Sequence, residues 1–419
     1  MGHLQVLSFF LLSLQISLFA KQLEVQIETP YALLMNVQTG KVIYEKRGRD
    51  NVYPASTTKI ASALYLLANH FDKIEDTAVC SENALRVVSE NVKKEKGSFL
   101  PPYILELDGT SMNLKKNEKV SLKQLLYGML LSSGNDASNV AAEFVCGDVD
   151  TFVGNVNKLA REIGCKNTHF MNPHGLFHSN HKTSAYDMAL LTREALKFPL
   201  FRQIVATSFY KEDRREFNQG NALVKPDSPY YYPFAIGIKT GYIRSAKYNL
   251  VAAANNGERE IIAVLHKSPT SKQRYEDAIS LFNAAFSELP VKRLMFRMDE
   301  TQFQKEIPKA QFPVTAVLNS DLYLNYFPSE EEEITAKLEW FDLNLPIVKE
   351  SVVAKLILIS KNDGRVLLTE VLFAKEKVNM KLIYAIMICI KTYLVPIIVS
   401  LLLIGLAGGS LFLRLRKDK

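Results

Sequence analysis

Apolar residues are spaced as in β-strands in some segments of the chain and as in α-helices in others. The order of these segments predicts the order of strands and helices. Between Leu23 and Glu288, strand-like runs (YALLMNVQTGKVIYEKR, YNLVAAAN, EREIIAVLH) enclose helical runs such as SLKQLLYGMLLSSGNDASNVAAEFV and SAYDMALLTREALKF. Residues 271–286 predict a closing helix. Strands followed by helices, further strands and a last helix indicate an α+β domain over residues 21–288, in which helices flank a sheet.

The pattern changes after Pro290. Residues 311–375 consist of short runs, FPVTAVLN, LYLNYF, ITAKLEWFDL and VVAKLILISKNDGRVLLTEVLFA, with a turn signal at Asn362-Asp363-Gly364. Regular short strands separated by turns predict a small all-β, β-sandwich-like domain over residues 289–376.

Both ends of the chain are apolar. Residues 1–20 hold an apolar stretch of signal-peptide length, although no Lys or Arg precedes it. Residues 377–419 predict a membrane anchor, because residues 392–413 hold no charged side chain and would span roughly 33 Å as a helix. The apolar run KLIYAIMICIK just before this span is too short to cross a bilayer and predicts an interfacial segment.

Basic residues follow the predicted span directly, in the tail RLRKDK that ends the chain. By the positive-inside rule this tail lies in the cytoplasm, and everything before the span lies outside. The formal net charge of +7 comes with no basic stripe interleaved with aromatic residues, which argues against a nucleic-acid partner.

The four cysteines show neither a CxxC pair nor a zinc-ligand spacing. For an exported chain the favoured disulfide pairs Cys146 with Cys165, and free buried thiols are an equally good alternative.

The sequence PASTTKI places Ser56 and Lys59 at the start of an apolar run that predicts a helix to Asn69. Residues three apart share one helix face, and burial lowers the pKa of a lysine. Its neutral amine can then take the serine proton at the positive end of the helix. The spacing alone is weak, because S-x-x-K recurs in SNHK at 179–182 and SFYK at 208–211, neither of which opens an apolar helix.

Two further motifs follow in the chain. SGN at 133–135 stands where an apolar helical run meets a polar break, and KTG at 239–241 ends a strand-like run. A glycine after Lys-Thr would let a substrate backbone approach a strand edge closely. The order S-x-x-K, S-x-N, K-T-G is the marker of penicillin-binding proteins and serine β-lactamases. With the phrases YPASTTKI, LLSSGNDASN, NPHGL, TSAYDMALL and YNLVAAA, nearly the whole chain resembles the D-alanyl-D-alanine carboxypeptidase group of low-molecular-mass penicillin-binding proteins.

This resemblance implies a β-lactamase/transpeptidase-like domain with an antiparallel sheet, followed by the small β-domain and the membrane helix. It implies catalytic roles for Ser56 as the acyl-enzyme nucleophile, Lys59 as its base and Ser133 as a proton relay. Such a site needs neither a metal nor a cofactor.

The resemblance also implies the substrate-binding residues. Asn135 would bind a substrate amide, while Lys239 and Thr240 of the K-T-G motif, which ends in Gly241, would hold the substrate carboxylate. The N–H groups of Ser56 and Tyr242 would form an oxyanion hole. The implied partners are peptidoglycan pentapeptides, β-lactam antibiotics and the membrane, and the implied location is the bacterial cell envelope.

Some positions depart from the group. Tyr242, Ile243 and Arg244 follow the K-T-G motif where His or Thr is frequent, and Lys247 replaces a common glycine. The group's carboxylate-binding arginine has no clear counterpart, and LHKSPTS offers only its Lys or its first Ser.

Two other functions stay open at this point. A class A-like β-lactamase would need an additional base for deacylation, and the nearest phrase, REALKF, lacks the expected asparagine. A non-catalytic envelope scaffold would have no reason to keep all three motifs. The histidines between 169 and 181 also suggest a metal site, but no acid or cysteine accompanies them at a standard spacing.

Overall fold

The computed structural model describes residues 11–12, 23–96, 99–212 and 214–415. The apolar segment at 1–20, predicted as a signal peptide or a retained N-terminal segment, lies outside the described residues except for Leu11 and Leu12, and so does the end of the basic tail from Arg416 onwards.

The chain divides into two compact units. Of the described residues, the larger unit comprises those between 23 and 289 together with Pro328–Glu330, and the smaller comprises Leu11, Leu12, Pro290–Phe327 and those between 331 and 415.

The elements are numbered in chain order. The strands are β1 (Leu11–Leu12), β2 (Tyr31–Asn36), β3 (Val42–Lys46), β4 (Thr77–Val79), β5 (Val87–Val88), β6 (Leu105–Glu106), β7 (Lys119–Ser121), β8 (Phe209–Glu212), β9 (Arg215–Asn218), β10 (Ala235–Ile243), β11 (Lys247–Asn255), β12 (Glu260–Ser268), β13 (Val291–Phe296), β14 (Gln302–Lys305), β15 (Val314–Val317), β16 (Leu322–Tyr326), β17 (Ile334–Trp340), β18 (Val352–Ser360) and β19 (Val366–Ala374). The helices are α1 (Thr58–Asn69), α2 (Glu90–Lys96), α3 (Leu122–Leu130), α4 (Asn135–Cys146), α5 (Val149–Ile163), α6 (Ala185–Ala195), α7 (Pro199–Ala206), α8 (Gln273–Phe286), α9 (Leu382–Cys389) and α10 (Val395–Leu415).

A five-stranded antiparallel sheet forms the centre of the larger unit, in the order β10-β11-β12-β2-β3. The sequence predicts these strands, including the hairpin of β2 and β3, whose turn is closed by the Gly40 N–H donating to the Asn36 carbonyl at 2.9 Å. Both faces of the central strands are buried, which explains why β11 and β12 read as continuous apolar runs.

Helices cover the sheet on both faces, because successive strand residues point to opposite sides. On one face, Leu33 and Val264 belong to a core that the sheet shares with several helices, including α1 and α3. Leu34 and Leu265 belong to the core under α8. Helix α1 is buried from Thr58 to Leu67, which places its first turn beside the sheet.

The long helical run around the SGN motif is two helices. Ser121 begins α3 with a capping box that it forms with Gln124. After α3 the chain turns at Ser133, whose φ is +62°, and the Gly134 N–H donates to the Gly128 carbonyl at 2.9 Å. The motif therefore stands at a sharp helix–helix junction.

The smaller unit contains a six-stranded sheet in the order β1-β17-β18-β19-β15-β14 and a two-stranded sheet of β13 and β16. Its core includes Val314, Ala316, Val353, Leu356 and Leu358. Alternate residues of β18 supply much of this core, as the strand period requires.

The C-terminal helix is longer than predicted. Helix α9, five π-helical residues (Ile390–Leu394) and α10 follow one another without a break. Among the described residues, the stretch long and apolar enough to cross a membrane is Leu382–Ile404, with a mean hydropathy of 2.3. The helix runs through both the predicted span at 392–413 and the apolar run before it, because backbone bonding continues through the π-helical turn around Lys391. The position of the membrane span stays a prediction.

The predicted disulfide between Cys146 and Cys165 is wrong, because both cysteines are free, as are Cys80 and Cys389. Helix α5 separates the proposed pair, and its 15 residues are roughly 22 Å long. The alternative of free thiols holds, and burial raises the pKa of the Cys80 thiol to about 11.

Candidate active site

Ser56 lies in a single 3-10 turn, Ala55–Thr57, that leads directly into α1. The carbonyl groups of Tyr53 and Pro54 just before it each accept a hydrogen bond from the Asn249 amide of β11 at 2.9 Å. The sheet thus fixes the backbone from which the serine side chain projects.

Lys59 stands in the first turn of α1 and is completely buried. Its Nζ lies 2.7 Å from Oδ1 of Asn135, 2.8 Å from the carbonyl oxygen of His174 and 3.2 Å from Oγ of Ser56. A neutral amine has two N–H donors and one lone pair. The two nearer oxygens accept both N–H bonds, which leaves the lone pair for the Ser56 hydroxyl.

The surroundings favour the neutral amine. Burial lowers the pKa of Lys59 well below its usual value, the charge of Lys239 lowers it further, and Asp136 acts in the opposite direction. The Asp136 carboxylate is held by the N–H groups of Met112 at 2.8 Å and Leu114 at 3.1 Å, which spread its charge over the loop.

Ser133 and Asn135 are held at the junction of α3 and α4 by the loop at Thr110. The Thr110 hydroxyl donates to the Ser133 carbonyl at 2.6 Å, and the Asn135 N–H donates to the Thr110 carbonyl at 2.9 Å. The junction directs the Asn135 amide to Lys59, and Ser133, two residues earlier, is half-buried.

The K-T-G residues lie on β10, the edge strand of the sheet. Lys239 is buried, and its Nζ donates to the Thr240 carbonyl at 3.1 Å. Burial, with a smaller effect of the Arg274 charge, lowers the pKa of Lys239 to about 7. Tyr242 is 55% exposed, and its ring centroid is 4.7 Å from that of Tyr248 on β11.

Gly241 lets β10 pass against the serine turn. A Cβ at this position would lie 3.0 Å from the Ser56 nitrogen and 3.1 Å from the Pro54 carbonyl oxygen. The sequence predicts close approach of a substrate at this glycine, and the structure shows that the turn carrying Ser56 already approaches it.

Gly175 is a site residue that the sequence analysis did not single out. Its φ is +97°, and a Cβ there would lie 1.9 Å from the Ala55 carbonyl oxygen. Ala55 itself has φ +51°, a left-handed conformation that costs a non-glycine residue about 1–2 kcal/mol. The glycine of NPHGL, inside a phrase already quoted for the family resemblance, was the available signal.

Arg274 on α8 is a second such residue. It is 8% exposed, its guanidinium donates to the Asn249 carbonyl at 3.3 Å and the Ser271 hydroxyl at 3.1 Å, and its Nε has no partner among the described residues. Its charge acts on Lys239, so the two cations share one end of the site. Nothing in its local sequence marks it.

The two alternatives offered by LHKSPTS, Lys267 and Ser268, have different surroundings from Arg274. The Ser268 hydroxyl is 2.7 Å from the hydroxyl of Thr29, and the Lys267 side chain is exposed. Arg274 is therefore the better placed of the three to meet an anion beside Lys239.

The histidines between 169 and 181 are engaged in other ways. The N–H of Leu176 donates to Nδ1 of His174 at 3.1 Å, and the N–H of Met171 donates to Nδ1 of His181 at 3.0 Å. Within the part of the chain that the structure describes, no three His, Cys, Asp or Glu side chains are grouped to hold a metal.

The comparison with protein families decides the identity of the fold. The profile of the D-alanyl-D-alanine carboxypeptidases, peptidase family S11, matches residues 18–270. The chain belongs to this family. The carboxypeptidase DacF of Bacillus subtilis is 31% identical over 390 residues, covering 88% of this chain and 92% of DacF. The carboxypeptidase DacA of Haemophilus influenzae is 28% identical over 338 residues, covering 79% of this chain and 81% of DacA.

Solved structures agree with this assignment. Penicillin-binding protein 5 from Haemophilus influenzae has a TM-score of 0.59 at 25% identity, covering 85% of this chain and 99% of that one. The carboxypeptidase DacD from Francisella tularensis shares the fold, with a TM-score of 0.58 at 22% identity over 88% of this chain and 98% of that one. The predicted family, the transpeptidase-like α+β fold and the hydrolase class are confirmed.

Proposed function

We propose that this carboxypeptidase removes the terminal D-alanine from peptidoglycan pentapeptides through an acyl-enzyme on Ser56. The observation that carries the proposal is the position of the Lys59 amine, 3.2 Å from the Ser56 hydroxyl with its other contacts directed at Asn135 and His174. A neutral amine at this position accepts the hydroxyl proton as the serine oxygen attacks the carbonyl carbon between the two D-alanines.

Attack turns the carbonyl oxygen into an oxyanion, for which the N–H groups of Ser56 and Tyr242 are the proposed donors. The 3.0 Å approach of the Gly241 Cβ position to the Ser56 nitrogen supports this, because it brings the two backbone segments beside one another. Two fixed N–H groups stabilise the developing charge without reorganising.

The free carboxylate of the substrate is proposed to bind Lys239, the Thr240 hydroxyl and Arg274. The two cations attract an anion to this end of the site, and an incoming carboxylate restores the protonated form of Lys239. This selects a peptide that ends one residue beyond the attacked bond, as carboxypeptidase action requires.

Proton transfer completes the two half-reactions. The proton taken by Lys59 is passed by way of the Ser133 hydroxyl to the nitrogen of the leaving D-alanine as the C–N bond breaks. Water, losing a proton to the same base, then attacks the carbonyl carbon of the Ser56 ester. The C–O bond to Ser56 breaks as Lys59 returns that proton to the serine oxygen, and the shortened peptide leaves as a carboxylic acid. Penicillin follows the first half-reaction, but its leaving nitrogen stays tethered to the acyl group and obstructs the water.

We further propose that residues 21–288 form the catalytic domain, 289–376 a separate β-domain and 377–419 the membrane anchor. The apolar helix Leu382–Ile404 and the basic end of the chain support an anchored enzyme whose catalytic domain faces the cell wall. Asn135 is proposed to bind a backbone amide of the substrate through its side-chain nitrogen, since its oxygen accepts from Lys59.

The test uses the full chain in detergent, a fluorescent penicillin and a peptide ending in D-Ala-D-Ala. We expect covalent labelling and release of free D-alanine by the wild type, and neither by Ser56→Ala. Ser179→Ala is the matched control, because Ser179 opens another S-x-x-K sequence and is exposed. Labelling that persists in Ser56→Ala contradicts the nucleophile assignment. Rapid penicilloate release indicates a β-lactamase, and a wild type without either activity indicates a scaffold.

A further inference from the structure

The Ala55–Ser56 peptide is held by a chain of hydrogen bonds that passes through a histidine outside the three motifs. The Thr58 hydroxyl donates to the Ala55 carbonyl at 2.8 Å, and Nε2 of His181 lies 2.8 Å from the same hydroxyl oxygen. His181 is the histidine of SNHK, the second S-x-x-K sequence. All three of these residues are buried.

The direction of this chain follows from its first donor. A backbone N–H can only donate, so the Met171 N–H makes Nδ1 of His181 an acceptor at 3.0 Å. A neutral ring that accepts at Nδ1 carries its proton on Nε2, and Nε2 therefore donates to Thr58. The Thr58 hydroxyl, which accepts this bond, is left to donate to Ala55.

The environment of the ring keeps it in this neutral form. Burial lowers the pKa of His181 to about 3, and the nearby ionisable groups His178, His169 and Lys59 act in the same direction. A second proton on Nδ1 would point at the Met171 N–H and break the chain at its start.

The last hydrogen bond of this series, to the Ala55 carbonyl, fixes the direction of the Ser56 N–H. The Ala55 carbonyl and the Ser56 N–H belong to one planar peptide, so the direction of the first determines the direction of the second. Ala55 is in the left-handed region at φ +51°, and the backbone at Gly175 packs directly against its carbonyl. A strained peptide of this kind persists only where its surroundings hold it.

We propose that His181 and Thr58 are positioning residues that aim the Ser56 N–H at the oxyanion. The inference rests on the proposed function, in which that N–H is one of two oxyanion donors. His181 touches neither the substrate nor the reacting atoms, and it acts through Thr58 and the Ala55 carbonyl.

The test measures acylation of the full chain in detergent by a fluorescent penicillin, separating the non-covalent dissociation constant from the acylation rate constant. We expect Thr58→Val and His181→Leu each to lower the rate constant at least about tenfold, because misaligning an oxyanion donor weakens transition-state binding. The dissociation constant should change less than about twofold. The double variant should be no slower than the slower single variant, because both residues act through one chain.

Conservative variants distinguish this role from a general packing effect. Thr58→Ser keeps the hydroxyl, and His181→Gln can accept from Met171 and donate to Thr58, so both should stay within about threefold of the wild type. Thr192→Val is the matched control, because the buried Thr192 hydroxyl also donates to a backbone carbonyl, that of Met188, at 2.6 Å. Thermal unfolding of every variant shows that each is folded at the assay temperature.

Three results overturn the proposal: Thr58→Val acylated as fast as wild type, Thr58→Ser as slow as Thr58→Val, or rate losses that multiply in the double variant. If Thr58→Val or His181→Leu does not fold, the conservative pair decides, and a tenfold loss in either overturns it. These outcomes differ from failure of the proposed function, in which the wild type itself is not acylated at Ser56.

Discussion

The side-chain oxygen of Asn135 lies 2.7 Å from Nζ of Lys59 and is the nearest hydrogen-bond acceptor of that amine. The contact joins the S-x-N motif to the S-x-x-K motif. An amide oxygen accepts an N–H bond without the full negative charge that would stabilise an ammonium ion. Asn135 therefore orients the amine and leaves the pKa of Lys59 low.

Replacing this amide by a carboxylate should change the pH dependence of acylation. In Asn135→Asp a negative charge beside Lys59 raises the pKa of its amine, so the acidic limb of the acylation rate profile should move up by about 1–3 pH units. At neutral pH the rate should fall at least about tenfold. Penicillin acylation measured between pH 5 and 9 checks this.

Asn135→Ala is the control for that measurement. It removes the acceptor without adding charge, so acylation should slow without an upward shift of the acidic limb. An Asn135→Asp profile that coincides in shape with that of the wild type would show that Lys59 is not the base.

A methyl group on Gly241 should separate β10 from the nucleophile turn. Its Cβ would lie 3.0 Å from the Ser56 nitrogen and 3.2 Å from the Ala55 Cβ, and neither neighbour is a flexible side-chain end. We expect Gly241→Ala to slow acylation by about 10²-fold, since small misplacements at a reacting centre have effects of this size.

The matched control for this variant is Gly154→Ala on α5, where nothing lies within 4 Å of the added Cβ. It should keep full activity and gain slightly in thermal stability, because alanine favours a helix more than glycine does. Unimpaired acylation by Gly241→Ala would mean that the close approach has no role in the reaction.

The affinity for the substrate carboxylate should depend on pH through Lys239. The pKa of Lys239 is about 7, so its charged form prevails below that pH and is lost above it. A carboxylate binds the charged form better, and KM for a D-Ala-D-Ala peptide should therefore rise as the pH increases through about 7 and beyond. Steady-state kinetics between pH 6 and 9.5 measure this rise.

Thr240→Val separates charge from hydrogen bonding in the same experiment. The variant loses an uncharged donor, so KM should increase by a similar factor at every pH while the slope persists. A wild-type KM that is flat across this range would exclude Lys239 as a titrating carboxylate ligand.

Arg274 should contribute to the same binding step. Arg274→Gln removes a buried guanidinium beside Lys239, and KM for the peptide should rise at least about tenfold, as for loss of a charge-assisted bond. Because the Arg274 charge lowers the pKa of Lys239, the pH at which KM begins to rise should also move upward.

Arg161→Gln, on the exposed side of α5, is the control and should leave both quantities unchanged. If Arg274→Gln raises KM without changing its pH dependence, the charge of Arg274 does not affect the pKa of Lys239.

The corrections to the sequence analysis have physical causes. The disulfide was proposed from an assumption about compartment, whereas α5 keeps Cys146 and Cys165 apart. The C-terminal helix begins at Leu382, before the predicted span, because a charged residue, Lys391, interrupts the apolar pattern but not the backbone bonding of the helix. A pattern of side chains does not report whether backbone bonding continues across such a residue.

Hydrophobic spacing and three short motifs were sufficient to determine the α+β class, the family and the nucleophile candidate. Hydrophobic spacing and short motifs are local properties, and they can be recognised from the order of residues alone. The neighbours of the Lys59 amine were decided only by the tertiary structure, since Asn135 and the His174 carbonyl reach it from 76 and 115 positions away.

The same holds for the residues that support the site from outside the motifs. Gly175 and His181 act on the Ala55–Ser56 peptide through backbone contact and a hydrogen-bond chain, and Arg274 acts on Lys239 through its charge. Contacts between segments so far apart depend on how the helices pack on the sheet. That packing, and with it the lowered pKa of Lys59, exists only in the folded chain.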